Sequence, residues 1–90
     1  MYKIRTTNRF EKSLKLCQKR NYNLILLKDV IDILALDGKL PAKYKPHKLT
    51  GNFKNCWECH IKPDWLLIWQ QNDTELTLLF LNTGTHSDLF

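Results

Sequence analysis

The stretch NCWECHIKPDWLLIW, residues 55–69, decides how the second half of the chain folds. Its last five residues, WLLIW at 65–69, are apolar at every position, which is typical of a central strand covered on both faces. The tripeptide KPD at 62–64 has good turn chemistry, so the residues before it are expected to form a preceding strand. We therefore predict two neighbouring antiparallel strands, at about 53–61 and about 65–71.

Two helices are predicted on the N-terminal side of these strands. Asn8 and Glu11 have the spacing of a capping box, and the apolar residues after them recur at helical intervals, which predicts a first helix over about 8–20. A second amphipathic pattern begins at Leu24 and is expected to end at Gly38. Since only a short polar break separates them, the two helices should form a hairpin.

The remaining elements complete an α+β fold. Alternating residues at 2–6 favour a short half-buried strand, and a last strand is expected at about 75–82. The segment 39–51 carries two prolines, a glycine and four lysines, and should be an ordered loop. The order β-α-α-β-β-β predicts a helical hairpin packed on a mainly antiparallel four-stranded sheet, in one domain spanning residues 1–90.

Composition excludes several classes of protein. Of the 90 residues, 43% are hydrophobic and 26% charged, which is ordinary for a globular protein, and no window is apolar enough to span a membrane. The start of the chain lacks the apolar run of a secretory signal, so we expect a cytoplasmic protein. In that compartment the three cysteines are expected to be free thiols.

Charge is distributed unevenly along the chain. All 14 Lys and Arg residues lie within residues 1–62 beside 5 acids, whereas residues 63–90 hold 4 acids and no base. The first part therefore carries a charge of 14 − 5 = +9 and the second a charge of −4. This asymmetry has two interpretations, an ordinary solvated surface or a basic face for nucleic acid or an acidic protein partner.

The spacing of Cys56, Cys59 and His60 matches the C-x-x-C-H attachment pattern of a c-type haem. Successive side chains of a strand point to opposite faces, so the two thiols of the predicted strand cannot both reach one porphyrin edge. The same alternation argues against a zinc site, and no second closely spaced ligand pair exists. We therefore expect neither haem nor zinc, with Cys17 and Cys59 in the core.

A group of polar residues in the second half of the chain is expected to converge. His47 lies in the loop, His60 at a strand end, Asp64 at a turn and His86 beyond the last strand. Neighbouring antiparallel strands bring their ends together, so these residues can meet at one sheet edge. Because imidazoles titrate near neutral pH, such a cluster suits proton transfer at a phosphodiester.

Two blocks of sequence carry a resemblance to a known family. HKLTGNFKNCWECHIKPDWLLIW at 47–69 and NTGTHSDLF at 82–90 resemble the YafQ-like branch of the RelE superfamily, the toxins of type II toxin–antitoxin pairs. The resemblance spans the whole chain and includes the RelE-like order of elements. It implies a ribosome-dependent endoribonuclease that cleaves mRNA without a metal or other cofactor and is held inactive by a cognate antitoxin.

The resemblance also implies roles for individual residues. Its catalytic positions correspond to His47, His60, Asp64 and His86. Lys54, Trp65 and Phe90 also match the family pattern, and together with Lys48 they are the candidate substrate-binding residues. The implied reaction uses a base to remove the ribose 2′-hydroxyl proton and an acid to protonate the leaving 5′-oxygen, so that the RNA itself supplies the nucleophile.

The chain departs from the family pattern at two positions, each time by loss of an arginine. Trp57 and Asn82 stand where the family usually has Arg. Strand alternation places Trp57 on the face opposite His60, whereas an arginine at position 82 would be suited to holding a phosphate. Two alternatives therefore stay open. One is a catalytically weakened member that acts by binding its antitoxin or another target, such as a ParE-like toxin reaches, and the other is a small basic nucleic-acid-binding domain.

Overall fold

The structure is a computed structural model that describes residues 1–90 as five strands and three helices. In chain order the elements are β1 (Lys3–Thr6), α1 (Asn8–Lys19), α2 (Leu24–Asp37), β2 (His47–Lys48), β3 (Trp57–Lys62), β4 (Trp65–Asn72), β5 (Thr77–Gly84) and α3 (His86–Leu89). Single 3₁₀ turns at Ala42–Tyr44 and Gly51–Phe53 flank β2. None of the helices has the length and apolar character needed to cross a membrane.

The strands form one sheet in the order β1-β5-β4-β3-β2. Strand β1 pairs with β5 in parallel, and the other neighbouring pairs are antiparallel. The predicted α+β fold is confirmed, but the predicted count of four strands is wrong because His47 and Lys48 pair with β3. A two-residue strand is too short to show periodicity, which is why its sequence resembles a loop.

The start of helix α1 differs from the sequence prediction. Thr7 is the N-cap, and its side-chain oxygen accepts a hydrogen bond of 3.0 Å from the backbone N–H of Phe10. Asn8 is the first residue of the helix rather than its cap, and Glu11 accepts a hydrogen bond from the Thr6 hydroxyl. The predicted capping box on Asn8 is therefore wrong by one residue, although the helix itself is confirmed.

Helix α2 ends where the sequence predicts, at Gly38. This residue has φ +74°, a left-handed conformation that glycine adopts without strain, and its N–H donates to the Leu34 carbonyl at 2.7 Å. A Cβ added here would lie 2.7 Å from the Tyr2 hydroxyl oxygen. The left-handed backbone conformation therefore favours glycine here.

Strand β4 is the centre of the core. All five residues of WLLIW are buried, with Trp65, Leu67 and Trp69 facing the helices and Leu66 and Ile68 facing the other side of the sheet. Coverage of this strand on both faces is thus confirmed. Strand β1 instead lies at the sheet edge with all four residues exposed, so the prediction that it is half-buried is wrong.

Candidate active site

The register of the sheet brings three predicted site residues to one edge. His60 in β3 lies beside Leu66 in β4, which in turn lies beside Gly84 at the end of β5. Asp64 occupies the turn between β3 and β4, and His86 begins α3 directly after β5. This edge, with the adjoining end of β2, is called the histidine edge below.

His86 and Asp64 form the most tightly connected pair of the histidine edge. His86 Nδ1 lies 2.6 Å from Asp64 Oδ1, and the backbone N–H of His86 donates to the same oxygen at 2.9 Å. These bonds, the backbone one contributing most, hold the pKa of Asp64 below its usual value. Because the carboxylate accepts, Nδ1 carries a proton, and Nε2 points away from this partner.

His60 stands between the other two histidines. Its ring centroid lies 5.8 Å from that of His86 and 6.3 Å from that of His47. Its Nδ1 lies 3.3 Å from the Pro63 carbonyl oxygen, which can only accept a hydrogen bond. The structure therefore brings His47, His60, Asp64 and His86 into one cluster.

His47 has acceptors at both ring nitrogens. Nδ1 lies 2.8 Å from the Lys45 carbonyl oxygen, and Nε2 lies 3.2 Å from Glu58 Oε1. Both contacts are satisfied when one proton is shared between His47 and Glu58, either as an ion pair or as two neutral groups. His47 is thus held in a fixed orientation beside a group that can take up or release a proton.

Glu58 is a site residue that the sequence analysis missed. Its side chain is only 7% exposed, and its Oε2 has no hydrogen-bond partner. Strand alternation contains the signal, because residues 58 and 60 of β3 lie on the same face. A buried carboxylate oxygen without a partner is costly, so this position favours function over stability.

Among the predicted substrate-binding residues, Phe90 presents an exposed aromatic ring. Its side chain is 59% exposed, and its ring meets the edge of Phe53 at a centroid distance of 5.1 Å. Lys54 follows Phe53 directly and is exposed. Phe53, itself partly exposed, is a second aromatic residue that sequence reasoning missed.

Two other predicted substrate-binding residues have side chains that do not face the histidine edge. Trp65 is 3% exposed, and its Nε1–H donates to the Thr83 hydroxyl oxygen at 3.0 Å, so its ring is not available for stacking on RNA. Lys48 lies with its ammonium 5.6 Å from the Trp57 ring centroid, whereas its neighbour His47 faces Glu58. Alternation along β2 therefore directs Lys48 away from the histidine edge.

The two positions that depart from the family pattern differ in their surroundings. Trp57 packs parallel to Trp69 at a centroid distance of 6.2 Å, which makes it part of the packing on the helix side. Asn82 is in register with Ile68 on β4, and its Oδ1 accepts hydrogen bonds from the Ser13 hydroxyl and the Thr83 N–H. Neither position supplies a cation to the histidine edge.

The cysteines have the environments of structural thiols. Cys17 and Cys59 lie in the hydrophobic core, as predicted, and burial raises the pKa of Cys59 to about 12. Cys56 is buried at the start of β3, where its sulfur lies 3.9 Å from the amide nitrogen of Gln70. No three His, Cys, Asp or Glu side chains are arranged to hold a metal ion. The absence of bound haem and zinc stays a prediction for elemental analysis of the purified protein.

The chain is similar to known proteins over nearly its whole length. The family described as "Bacterial toxin of type II toxin-antitoxin system, YafQ" matches residues 2–90. The chain is 39% identical over 88 residues to the mRNA interferase toxin YafQ of Escherichia coli K12, covering 97% of this chain and 94% of that protein. A solved metal-bound toxin from Helicobacter pylori is similar at 43% identity with a TM-score of 0.91 and complete coverage of both chains. The DinJ-YafQ complex of E. coli contains a chain similar at 37% identity with a TM-score of 0.90, covering 100% of this chain and 99% of that one.

Proposed function

The chain belongs to the YafQ family of type II toxin–antitoxin toxins, and from this premise we propose that it is an mRNA interferase, an endoribonuclease that cuts messenger RNA on the ribosome. The observation that carries the proposal is the row of neighbouring rings His47, His60 and His86 at one sheet edge, with Asp64 bonded to His86. Similarity to a protein named an mRNA interferase gives the substrate class.

The proposed reaction is an internal transfer at one phosphodiester. A base removes the proton of the ribose 2′-hydroxyl, the 2′-oxygen bonds to the adjacent phosphorus, and the bond from phosphorus to the 5′-oxygen breaks. An acid then protonates that leaving oxygen. The products are a 2′,3′-cyclic phosphate and a free 5′-hydroxyl. In this scheme histidines move both protons and the RNA supplies the nucleophile, so no metal takes part.

Asp64 supports this chemistry by orienting His86. With Nδ1–H bonded to the carboxylate, the other ring nitrogen of His86 is directed outward and can exchange a proton with a bound RNA. Nearby, His60 and His47 supply the second proton-transfer group, with Glu58 beside His47 as its proton partner. A fixed ring orientation matters because proton transfer requires hydrogen-bond distance to the reacting oxygen.

Binding of RNA is assigned to the aromatic pair and to the basic part of the chain. Phe90 and Phe53 present exposed ring surface beside α3, and a nucleobase can stack on such rings. Residues 1–62 carry the charge of +9 that would attract ribosomal and messenger phosphates. The cognate partner is proposed to be an antitoxin, because a similar chain was solved in complex with DinJ.

A weakened enzyme is the second candidate, and Asn82 is the observation that favours it. An amide whose oxygen is already bonded to Ser13 and Thr83 does not replace a bidentate guanidinium at a phosphate. The test is treatment of the purified protein with EDTA, removal of the chelator, and incubation with programmed ribosomes, followed by mapping of mRNA ends. Cuts within translated codons support the enzyme, whereas intact mRNA together with tight antitoxin binding supports the weakened member.

A further inference from the structure

The C-terminal helix α3 is too short to hold its own shape. It comprises only His86–Leu89 and contains no buried residue. Isolated helices below roughly 12 residues are marginal in water, so contacts from outside must fix a helix of this length. Because His86 begins α3 and Phe90 follows it, the same contacts fix two proposed site residues.

Asp88 is the residue through which α3 is held. Its Oδ2 accepts a hydrogen bond of 2.9 Å from the Thr85 N–H, and the Thr85 hydroxyl accepts one of 3.1 Å from the Asp88 N–H. This capping box closes the single turn of α3. Its bonds order the turn internally but do not attach the turn to the rest of the molecule.

Arg20, at the end of α1, attaches this turn to the helical hairpin. Its Nη1 lies 2.6 Å from Asp88 Oδ2 and its Nη2 lies 3.1 Å from Asp88 Oδ1, a bidentate contact across 68 positions of the chain. The backbone of Arg20 is itself fixed, because its N–H donates to the Leu16 carbonyl at 3.0 Å. A planar guanidinium held in this way sets both distance and orientation.

We propose that Arg20 is a positioning residue for RNA cleavage, acting through Asp88 to place His86 and Phe90 at the histidine edge. The inference rests on the proposed endoribonuclease function. It adds a role for α1, whose last turn carries no member of the histidine cluster. Arg20 contributes geometry, because both of its terminal nitrogens are bonded to Asp88 and fix the position of that carboxylate.

The electrostatics of the pair agree with a persistent contact. The guanidinium of Arg20 holds the pKa of Asp88 well below its usual range, so the carboxylate stays charged at neutral pH. The two side chains are 36% and 26% exposed, and partly exposed ion pairs contribute little to global stability. Misplacing a catalytic group by about 1 Å, in contrast, can lower a rate by about 10²-fold. Loss of the pair should therefore affect catalysis more than folding.

The experiment compares Arg20→Ala, Arg20→Lys, Asp88→Asn and the double variant Arg20→Ala/Asp88→Asn. Asp32→Ala is the matched control, because it breaks the Lys28–Asp32 ion pair on α2, which is 2.6 Å long and more exposed. Steady-state cleavage of mRNA on programmed ribosomes gives kcat and KM, and thermal unfolding reports stability. NMR of the imidazole nitrogens of His86 in the free protein reports its bond to Asp64.

We expect Arg20→Ala and Asp88→Asn to lower kcat by similar factors, on the order of 10-fold or more, with KM and Tm nearly unchanged. The double variant should lose no more than either single variant, Arg20→Lys should be intermediate, and Asp32→Ala should match wild type. A rise in KM at constant kcat would overturn the proposal in favour of direct RNA binding. Additive losses of kcat in the double variant would also overturn it, because the two residues would then act independently. Absence of cleavage by wild type would refute the proposed function. The positioning role is tested independently of cleavage, because unchanged His86 nitrogen shifts in Arg20→Ala would refute it.

Discussion

His86 and Asp64, 22 positions apart in the chain, are joined by a 2.6 Å hydrogen bond between Nδ1 and Oδ1. A second bond from the backbone of His86 reaches the same oxygen. The pair links the β3–β4 turn to the C-terminal helix, so the orientation of the most C-terminal histidine depends on a residue of another element. The proposed chemistry requires this link, and it can be removed with one substitution.

The first prediction concerns Asp64→Asn. The amide keeps the size of the side chain but loses the charge, so the ring of His86 should be held less firmly and cleavage should fall, by about 10²-fold if the ring is misplaced by about 1 Å. Single-turnover cleavage measures this loss. The matched control is Asp73→Asn, which removes a carboxylate bonded to Tyr2 and Gln71 away from the histidine edge.

The acid dependence of the pair follows from the lowered pKa of Asp64. A carboxyl whose pKa is lower in the folded than in the unfolded state stabilises the fold at pH values above its unfolded pKa, which is about 4. This contribution is lost as the pH falls through the folded pKa. The carboxyl carbon resonance of Asp64 should therefore show no transition between neutral pH and about pH 4, and its transition should lie at lower pH. A transition of the Asp64 carboxyl well above pH 4 would contradict the bond.

The second prediction concerns Glu58→Gln. Because this buried carboxylate has a partner at only one oxygen, replacing its charge by a neutral amide should raise the free energy of unfolding. The amide can still bond to His47 but cannot share a proton with it, so cleavage should fall. Urea denaturation and cleavage rates give the two values, and a variant with lower stability and full activity would refute the assigned role.

The third prediction concerns Phe90. Deletion of this exposed residue should lower cleavage strongly while moving Tm little, because loss of stacking on a base costs about 1–3 kcal/mol, whereas little buried surface is removed. Ile25→Ala, at an exposed apolar residue on α2, is the control for general loss of apolar surface. Unfolding of the Phe90 deletion would instead assign the residue to the fold.

The fourth prediction concerns the basic half of the chain. Affinity for ribosomes should fall steeply with salt, because each neutralised phosphate releases condensed counterion. Charge reversal at Lys12, Lys15 and Lys19 on α1 should lower the affinity further and reduce the salt slope. Binding that does not respond to salt would show that these lysines are ordinary solvated surface.

Sequence reasoning succeeded where periodicity or residue chemistry acts over long stretches. The continuous apolar run of β4 predicted a strand covered on both faces, and Gly38 predicted the end of α2. Strand alternation separated Cys59 from the histidine face, and antiparallel pairing predicted that His60, Asp64 and His86 converge. Each of these predictions follows from the local geometry of strands, helices or turns.

The features that the sequence did not predict depend on contacts between distant residues or on elements too short to be periodic. Strand β2 has two residues and α3 has four, so neither produces a pattern. The bond between Arg20 and Asp88 arises only once the helical hairpin is packed on the sheet. Thr7 caps α1 in place of Asn8, and its hydroxyl also donates to the Leu81 carbonyl of β5, a contact between residues distant in the chain.

The most direct measurement is the 3′-end chemistry of mRNA cut on programmed ribosomes by wild type and by His86→Ala, at equal protein concentration and with antitoxin binding as a check of folding. We predict codon-internal cuts ending in a 2′,3′-cyclic phosphate for wild type. For His86→Ala we predict cleavage reduced by at least about 10²-fold, with antitoxin affinity unchanged. Cleavage by a fully folded His86→Ala protein at the wild-type rate, or wild-type products ending in a 3′-hydroxyl, would contradict the account.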